Sequence, residues 1–245
     1  MGASRPQKTL ARFLAPGATP GKTYLLDPSE SHHLLRVRRA RPGQELLLLD
    51  LEGRELLARL KKPGKEALVE VEKVVREEEP PGPEIVFLLP LLKKDLLSFL
   101  VEKAVELGVS RVIPYVSSRT VTRPGKHLRE KLAARALQAL KQCGRLWPLE
   151  ITPPLPLKEA VRTQGELKIL AYEREKERSL KEALKAERLQ ESLILATGPE
   201  GGFSEEEVAL FEEAGFLTVH LGRHVLRAET AALYLMSVAN FRYLG

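Results

Sequence analysis

The chain begins with short apolar runs broken by turn residues, and after residue 76 it changes to longer runs that alternate between strand and helix periods. In the first part, "TPGKTYLL" and "RARPGQELLLLDLEGRELLARLKKPGKEALVEVEKVV" hold their Leu and Val in brief stretches. Pro42-Gly43, Glu52-Gly53 and Pro63-Gly64 punctuate them at spacings of about ten residues, the pattern of a small β-barrel. No helix longer than a few turns is implied before residue 76. The acidic, proline-rich stretch "REEEPPGP", residues 76 to 83, then divides the chain.

Beyond it, "IVFLLP" is followed by "DLLSFLVEKAVELG", and "RVIPYV" by "GKHLREKLAARALQALKQCG". Further strands are predicted at "LKILAY", "SLILATG" and "LTVHLG", with helices around residues 179 to 188, 204 to 214 and 228 to 242. This alternation argues for an α/β domain on a mostly parallel sheet, so the chain reads as two modules, residues 1 to 76 and 77 to 245. The dense charge run "EREKERSLKEALKAERLQE" is by default a solvated helix face or a mobile loop. The last helix, "AALYLMSVANF", is apolar nearly all round, so it either threads the domain core or forms part of a subunit interface.

Charge sharpens this division. Residues 1 to 76 hold 15 Lys and Arg against 9 Asp and Glu, while the remainder holds 24 of each, so the whole formal excess of +6 lies in the first module. A basic excess confined to one module favours a polyanionic partner, of which nucleic acid is the commonest. Its densest part is "SHHLLRVRRAR", where Arg36, Arg38, Arg39 and Arg41 follow two histidines. His32-His33 makes a poor metal site, because adjacent side chains diverge and no third ligand stands at a useful spacing. A solvated or RNA-facing surface suits the segment better.

Other features narrow the class. The start "MGASRPQKTLARF" has no apolar core, and no apolar run reaches the roughly 20 residues of a membrane-spanning helix, so a cytoplasmic location without membrane attachment is expected. The lone Cys143 can form neither an internal disulfide nor a thiolate cluster. A single asparagine, two methionines and 29% charged residues lean towards a heat-adapted chain.

Two glycine-bearing loops carry the candidate chemistry. In "LATGPEGGFSEEE" a predicted strand turns into a helix through Gly198, Gly201 and Gly202, the setting of a phosphate cradle. The loop lacks the lysine and hydroxyl of a P-loop and the order of a dinucleotide fingerprint. Ser204 and Glu207 form a capping box, and Glu205 and Glu206 fill the same first turn, so the helix supplies its own negative charge where a phosphate would sit. A neutral or cationic ligand suits this loop, unless its glycines merely let the chain turn. In the second loop, "LGRHVLRAETA", Arg227 and Glu229 begin an otherwise apolar helix, where charges need partners or a task. Mutual pairing is the plain alternative. Both loops follow predicted strands and would share the carboxyl edge of the sheet, where such sheets bind ligands.

The ordered set "RF" at Arg12-Phe13, "HHLLRVRRARPGQELLLLD", "VEKAVELGVSRVIPYVSSRTV", "KQCGRLWP", "TGPEGGFSEEE" and "LGRHVLRAETA" resembles the uridine-N3 methyltransferases of small-subunit (16S) ribosomal RNA, in the SPOUT superfamily. The resemblance implies a PUA-like RNA-binding β-barrel followed by an α/β-knot domain with a deep trefoil knot. It implies S-adenosylmethionine bound in the knot, homodimers formed through the knot domain and last helix, and a decoding-region uridine of the small ribosomal subunit as target. Carried over by position, Thr197, Gly198, Glu200, Gly201 and Gly202 would line one side of the cofactor pocket. Leu221, Gly222, Val225, Leu226 and Arg227 would line the other. Arg223-His224 stands where the family commonly has proline-arginine, and Lys141 and Cys143 stand where a glutamate and a serine are usual.

Uracil N3 carries a proton, so methylation requires its removal or stabilisation of the resulting anion. Glu229 is the candidate base, and Arg227 and Arg145 are candidates to stabilise charge on the uracil carbonyls or to hold a phosphate. Arg12, Arg36, Arg38 and Arg39 are the candidates for RNA docking. The transfer requires no metal. A SPOUT enzyme with another ribosomal or transfer RNA target, and a non-catalytic RNA-binding assembly factor, are the competing readings.

Overall fold

The computed structural model describes residues 10–120, 124–185 and 191–244, apart from the side chain of Lys94. The chain divides into two compact units, Met1–Pro80 with Leu140–Trp147, and Pro81–Ala139 with Pro148–Gly245. Each has its own sheet.

In the first unit, strands β1 (Arg12–Leu14), β2 (Thr23–Leu25), β3 (Glu45–Leu49), β4 (Arg54–Lys62) and β5 (Leu68–Glu77) pair in the order β1-β3-β4-β5-β2. The β1–β3 pair is parallel and the others are antiparallel. Three register shifts between β4 and β5 mark irregularities of the bulge type, which bend a strand and increase its twist. One side is a core of Phe13, Leu26, Leu34, Leu48, Leu56 and Val69 with their neighbours. A short helix that the sequence pattern did not announce, α1 (Pro28–His32), begins where Asp27 accepts from the Ser29 and Glu30 backbone N–H groups at 2.7 and 2.9 Å. A π-helical turn, His33–Val37, follows it directly.

Three carboxylates are buried in this unit, and each is paired, as burial of charge demands. Glu55 meets Arg12 at 2.6 Å and Arg76 at 3.5 Å. Asp50 meets Arg54 at 2.5 Å, and Glu30 meets Lys141 at 2.5 Å. Lys141 therefore satisfies an acid of the same unit from the end of a helix. The Trp147 indole N–H donates to the Glu78 carbonyl at 3.0 Å, a second tie holding Leu140–Trp147 to these strands.

The second unit alternates strand and helix: β6 (Glu84–Pro90), α2 (Lys94–Glu106), β7 (Arg111–Val116), α3 (Leu128–Cys143, whose last residues group with the first unit), β8 (Glu150–Ile151), β9 (Leu155–Pro156), α4 (Leu157–Ala160), β10 (Leu167–Ala171), α5 (Leu180–Ala183), β11 (Ser192–Thr197), α6 (Glu205–Glu213), β12 (Leu217–Val219) and α7 (Ala228–Tyr243). The seven strands run β12-β10-β11-β6-β7-β8, with β9 also on β7, and every pairing is parallel. Strands β6 and β11 lie at the centre, buried along nearly their whole length, which is why both read as unbroken apolar runs. Against the sheet, Phe211 meets Tyr115, Phe203 and Phe216 edge to face at 4.9 to 6.4 Å, pairs worth about 0.5–1.5 kcal/mol each.

The helix expected over residues 179 to 188 is confined to Leu180–Ala183, and residues 186–190 lie outside the described ones. On α7, Ala232, Leu235, Met236, Ala239 and Tyr243 are buried, while Thr230, Tyr234, Ser237 and Phe241 form an exposed stripe. Among the described residues no helix is long and apolar enough to cross a membrane.

Candidate functional site at the carboxyl edge of the parallel sheet

The chain leaves β6 towards β7 on one side of the sheet and later returns through β10, β11 and β12 on the other, so the order reverses between β6 and β11. A crevice at such a reversal is the usual ligand site of an open parallel sheet. A cavity of about 1120 Å³ lies there, within the second unit, lined by residues that follow β6, β7, β10, β11 and β12.

Its first wall is the glycine loop after β11, contributing Gly198, Glu200, Gly201 and Gly202. Gly202 has φ +67°, a left-handed backbone that favours glycine, and a Cβ there would meet only the movable end of the exposed Glu173 side chain. Thr197 ends β11, is buried and does not line the cavity. Its carbonyl accepts from the Tyr115 hydroxyl at 2.6 Å, and its own Oγ1 has no partner among the described residues.

The helix that follows is closed to anions by its own residues. Ser204 and Glu207 form the reciprocal capping box, and the buried Glu207 carboxylate also accepts from the Ser118 backbone N–H at 2.7 Å. The first-turn acid Glu206 is held below its ordinary pKa by its own backbone N–H and by the Ser204 hydroxyl.

The second wall is the loop between β12 and α7, with Leu221, Gly222, Val225, Leu226, Arg227 and Glu229 all lining the cavity. Arg227 is the N-cap residue of α7 and Glu229 lies in its first turn. Val225 is 76% exposed, so it stands at the mouth.

Sequence reasoning missed the remaining wall. Lys93 and Leu96 come from the segment after β6, Arg119 from the turn after β7, and Glu173 to Lys176 from the turn after β10. The Arg119 guanidinium donates to the Gly201 carbonyl at 3.0 Å. Glu175 is pulled down to about 2 by the Thr218 hydroxyl and the backbone N–H groups of residues 176 to 178, which outweigh its burial. Applying the strand-end rule to every strand, rather than to the two glycine loops, would have pointed to these positions.

The other candidates lie in the first unit. Arg145 does not line the cavity; burial lowers its pKa, against the raising effect of Cys143 and Glu78. Arg12 pairs through Nε with Glu55, and its side chain is only 22% exposed. Arg36, Arg38 and Arg39 are exposed. The π turn explains their display: Leu34 is anchored in the core, Arg38 N–H bonds back to the His33 carbonyl at 2.9 Å, and Arg39 takes a left-handed φ of +53°. His33 packs against the Phe13 ring at 5.6 Å, and burial holds its pKa below the ordinary value.

Comparison with known proteins defines the class first. Residues 78–240 match the family described as RNA methyltransferase domain, and residues 26–72 match the RNA methyltransferase PUA domain. The α/β domain behind a PUA-type module is therefore the arrangement expected from the sequence. Ribosomal RNA small subunit methyltransferase E of Mycobacterium tuberculosis is 30% identical over 224 residues, 86% of this chain and 84% of that protein. The protein of the same name from Synechocystis is 29% identical over 93% of this chain and 76% of its own length. Two solved structures, each 28% identical and covering 94% of this chain, agree. One is a Legionella pneumophila protein in complex with the bound cofactor SAM, at TM-score 0.85 over 97% of that chain. The other is Ribosomal RNA small subunit methyltransferase E from Neisseria gonorrhoeae bound to S-adenosyl methionine, at TM-score 0.81 over 96%. This chain belongs to the ribosomal RNA small subunit methyltransferase E family.

Proposed function

We propose that this protein methylates 16S ribosomal RNA of the small ribosomal subunit from S-adenosylmethionine, at N3 of a uridine. The observation that carries the reading is one cavity uniting the "GPEGG" and "LGRHVLRAETA" loops at the carboxyl edge of the sheet, in a chain of this family. The residues fit a sulfonium cofactor. Gly198, Gly201 and Gly202 bring backbone to the cavity wall, and the self-capped acidic start of α6 favours a positive ligand over an anion. Family resemblance adds a trefoil knot around these loops, a cytoplasmic setting and a homodimer. The exposed Tyr234 and Phe241 on α7 support the dimer, because large apolar side chains on one helical stripe mark an association surface.

When bound, the cofactor supplies an electrophilic methyl group on sulfur. Glu229, at the cavity wall, takes the N3 proton of the uracil. Arg227 beside it places positive charge near the base or its phosphate. The loop from Gly198 to Gly202 forms one side of the cofactor pocket, with Thr197 buried behind it at the end of β11, and Leu221 to Arg227 form the other. Arg36, Arg38 and Arg39 hold RNA phosphates.

The test is incubation of undermethylated small subunits with methyl-labelled S-adenosylmethionine, followed by mapping of the modified nucleotide. The expected product is N3-methyluridine; label on ribose or guanine overturns the target, and cofactor binding without transfer favours an assembly factor. In the same assay Glu229→Gln is expected to slow single-turnover transfer by about 100-fold at normal cofactor affinity. An unchanged rate removes Glu229 as the base.

A further inference from the structure

The turn after β7, residues 117 to 120, is fastened at two points, to the first turn of α6 and to the glycine loop. The Ser118 N–H donates to the buried Glu207 carboxylate at 2.7 Å, and the Arg119 guanidinium donates to the Gly201 carbonyl at 3.0 Å. The turn is closed on itself, with Thr120 Oγ1 accepting from the Ser117 N–H at 2.9 Å. Arg119 also lies 3.4 Å, through its Cβ, from where a Cβ on Gly201 would stand, so it packs along the loop. Only one of its N–H groups has a protein partner among the described residues, and the side chain is exposed and lines the cavity.

The other cations of the cavity are placed differently. Arg174 faces Glu205 at 3.7 Å, and Arg223 stands on the exposed loop after β12. Arg227 occupies the N-cap position of α7 without a side-chain bond to the helix end, and Lys93 and Lys176 carry no planar fork. Arg119 is the cavity cation that the described residues hydrogen-bond onto the glycine loop. A planar fork fixed through one N–H keeps its other donors preorganised for an oxygen that gains negative charge.

We infer that Arg119 is a catalytic residue that donates to a uracil carbonyl flanking N3 and stabilises the negative charge formed when N3 loses its proton. This rests on the uridine-N3 reading above. In the step served, the N3 proton passes to the base and the N3 electron pair forms the bond to the methyl carbon. The methyl–sulfur bond breaks with its electron pair left on sulfur, giving a neutral thioether and N3-methyluridine. Arg119 takes on the charge-stabilising role for which the sequence suggested Arg227 and Arg145.

The test uses the full chain with Arg119→Gln and Arg119→Lys, small subunits as substrate, and saturating cofactor and RNA. It reads single-turnover rate against pH, and cofactor and RNA affinity separately by titration. The expected result for Arg119→Gln is a rate about 100-fold lower at neutral pH, a rising limb displaced to higher pH, and cofactor and RNA affinities within about threefold of wild type. Arg119→Lys, which keeps the charge and loses the fork, is expected to fall between. An unchanged saturating rate overturns the inference, whether affinities are normal or reduced; reduced cofactor affinity alone makes Arg119 a loop anchor, and reduced RNA affinity alone makes it a phosphate ligand. Mapping the wild-type product separates the two readings: N3-methyluridine with an indifferent Arg119 sinks this inference alone, whereas another modified atom sinks the uridine-N3 reading beneath it.

Discussion

Glu175 shows how one side chain fixes a wall of the cavity. Its carboxylate gathers the Thr218 hydroxyl at 2.7 Å and backbone N–H groups of the turn after β10, holding Glu173 and Arg174 in place beside the glycine loop. Its folded pKa of about 2 lies below the ordinary 4.5, so its stabilisation is fully present above about pH 4.5 and is lost as pH falls towards 2. Urea titrations from pH 2 to 6 are expected to show that loss in the wild type and a flatter acid limb for Glu175→Gln, with lower stability at pH 7. Equal slopes would remove Glu175 as the staple. This residue was illegible in the sequence, where it lies inside a charge run that reads as solvated surface. Its role depends on Thr218, which is 43 residues away and brought near by the parallel pairing of β10 with β12. The capping box of Ser204 and Glu207 could be read directly, because it is written within four residues.

At the scale of elements, α7 presents two faces. Its buried side supplies Leu235, Met236 and Ala239 to the second unit, and the Asn240 side chain donates to the Leu107 carbonyl at 3.2 Å. Its outer stripe carries Phe241 at 82% exposure. Phe241→Glu is expected to leave the fold intact and to weaken self-association by at least about tenfold in sedimentation velocity. An unaltered association constant would move the proposed dimer surface off this stripe. The sequence pattern resolved β6, β7, β10, β11 and β12, since a strand buried on both faces is an unbroken apolar run. It missed α1, β8, β9 and α4, which have five residues or fewer and too little length to establish a period.

For the whole molecule, charge and chemistry are divided between the units. The exposed arginines of the π turn lie in the first, and the cavity lies wholly in the second. Reversing Arg36, Arg38 and Arg39 to Glu is therefore expected to weaken RNA binding and to reduce its salt slope by about 0.7–0.9 for each phosphate no longer neutralised, with cofactor affinity unchanged. A retained slope in filter binding from low to moderate salt would place the docking surface elsewhere. The two cavity loops were legible because glycines and a capping box mark them locally. Lys93, Arg119 and Glu173 were not, because they join the cavity through the order of strands in the sheet, and no local pattern encodes which strands become neighbours.

The self-capped start of α6 also constrains how this scaffold can change. Converting the glycine loop into a phosphate-binding site would require losing Glu207, and with it the tether to Ser118, while Glu205 and Glu206 would still repel the new guest. No single substitution opens a downhill path to that activity. On this scaffold, trading a sulfonium for a nucleotide would need several coupled changes at the start of α6.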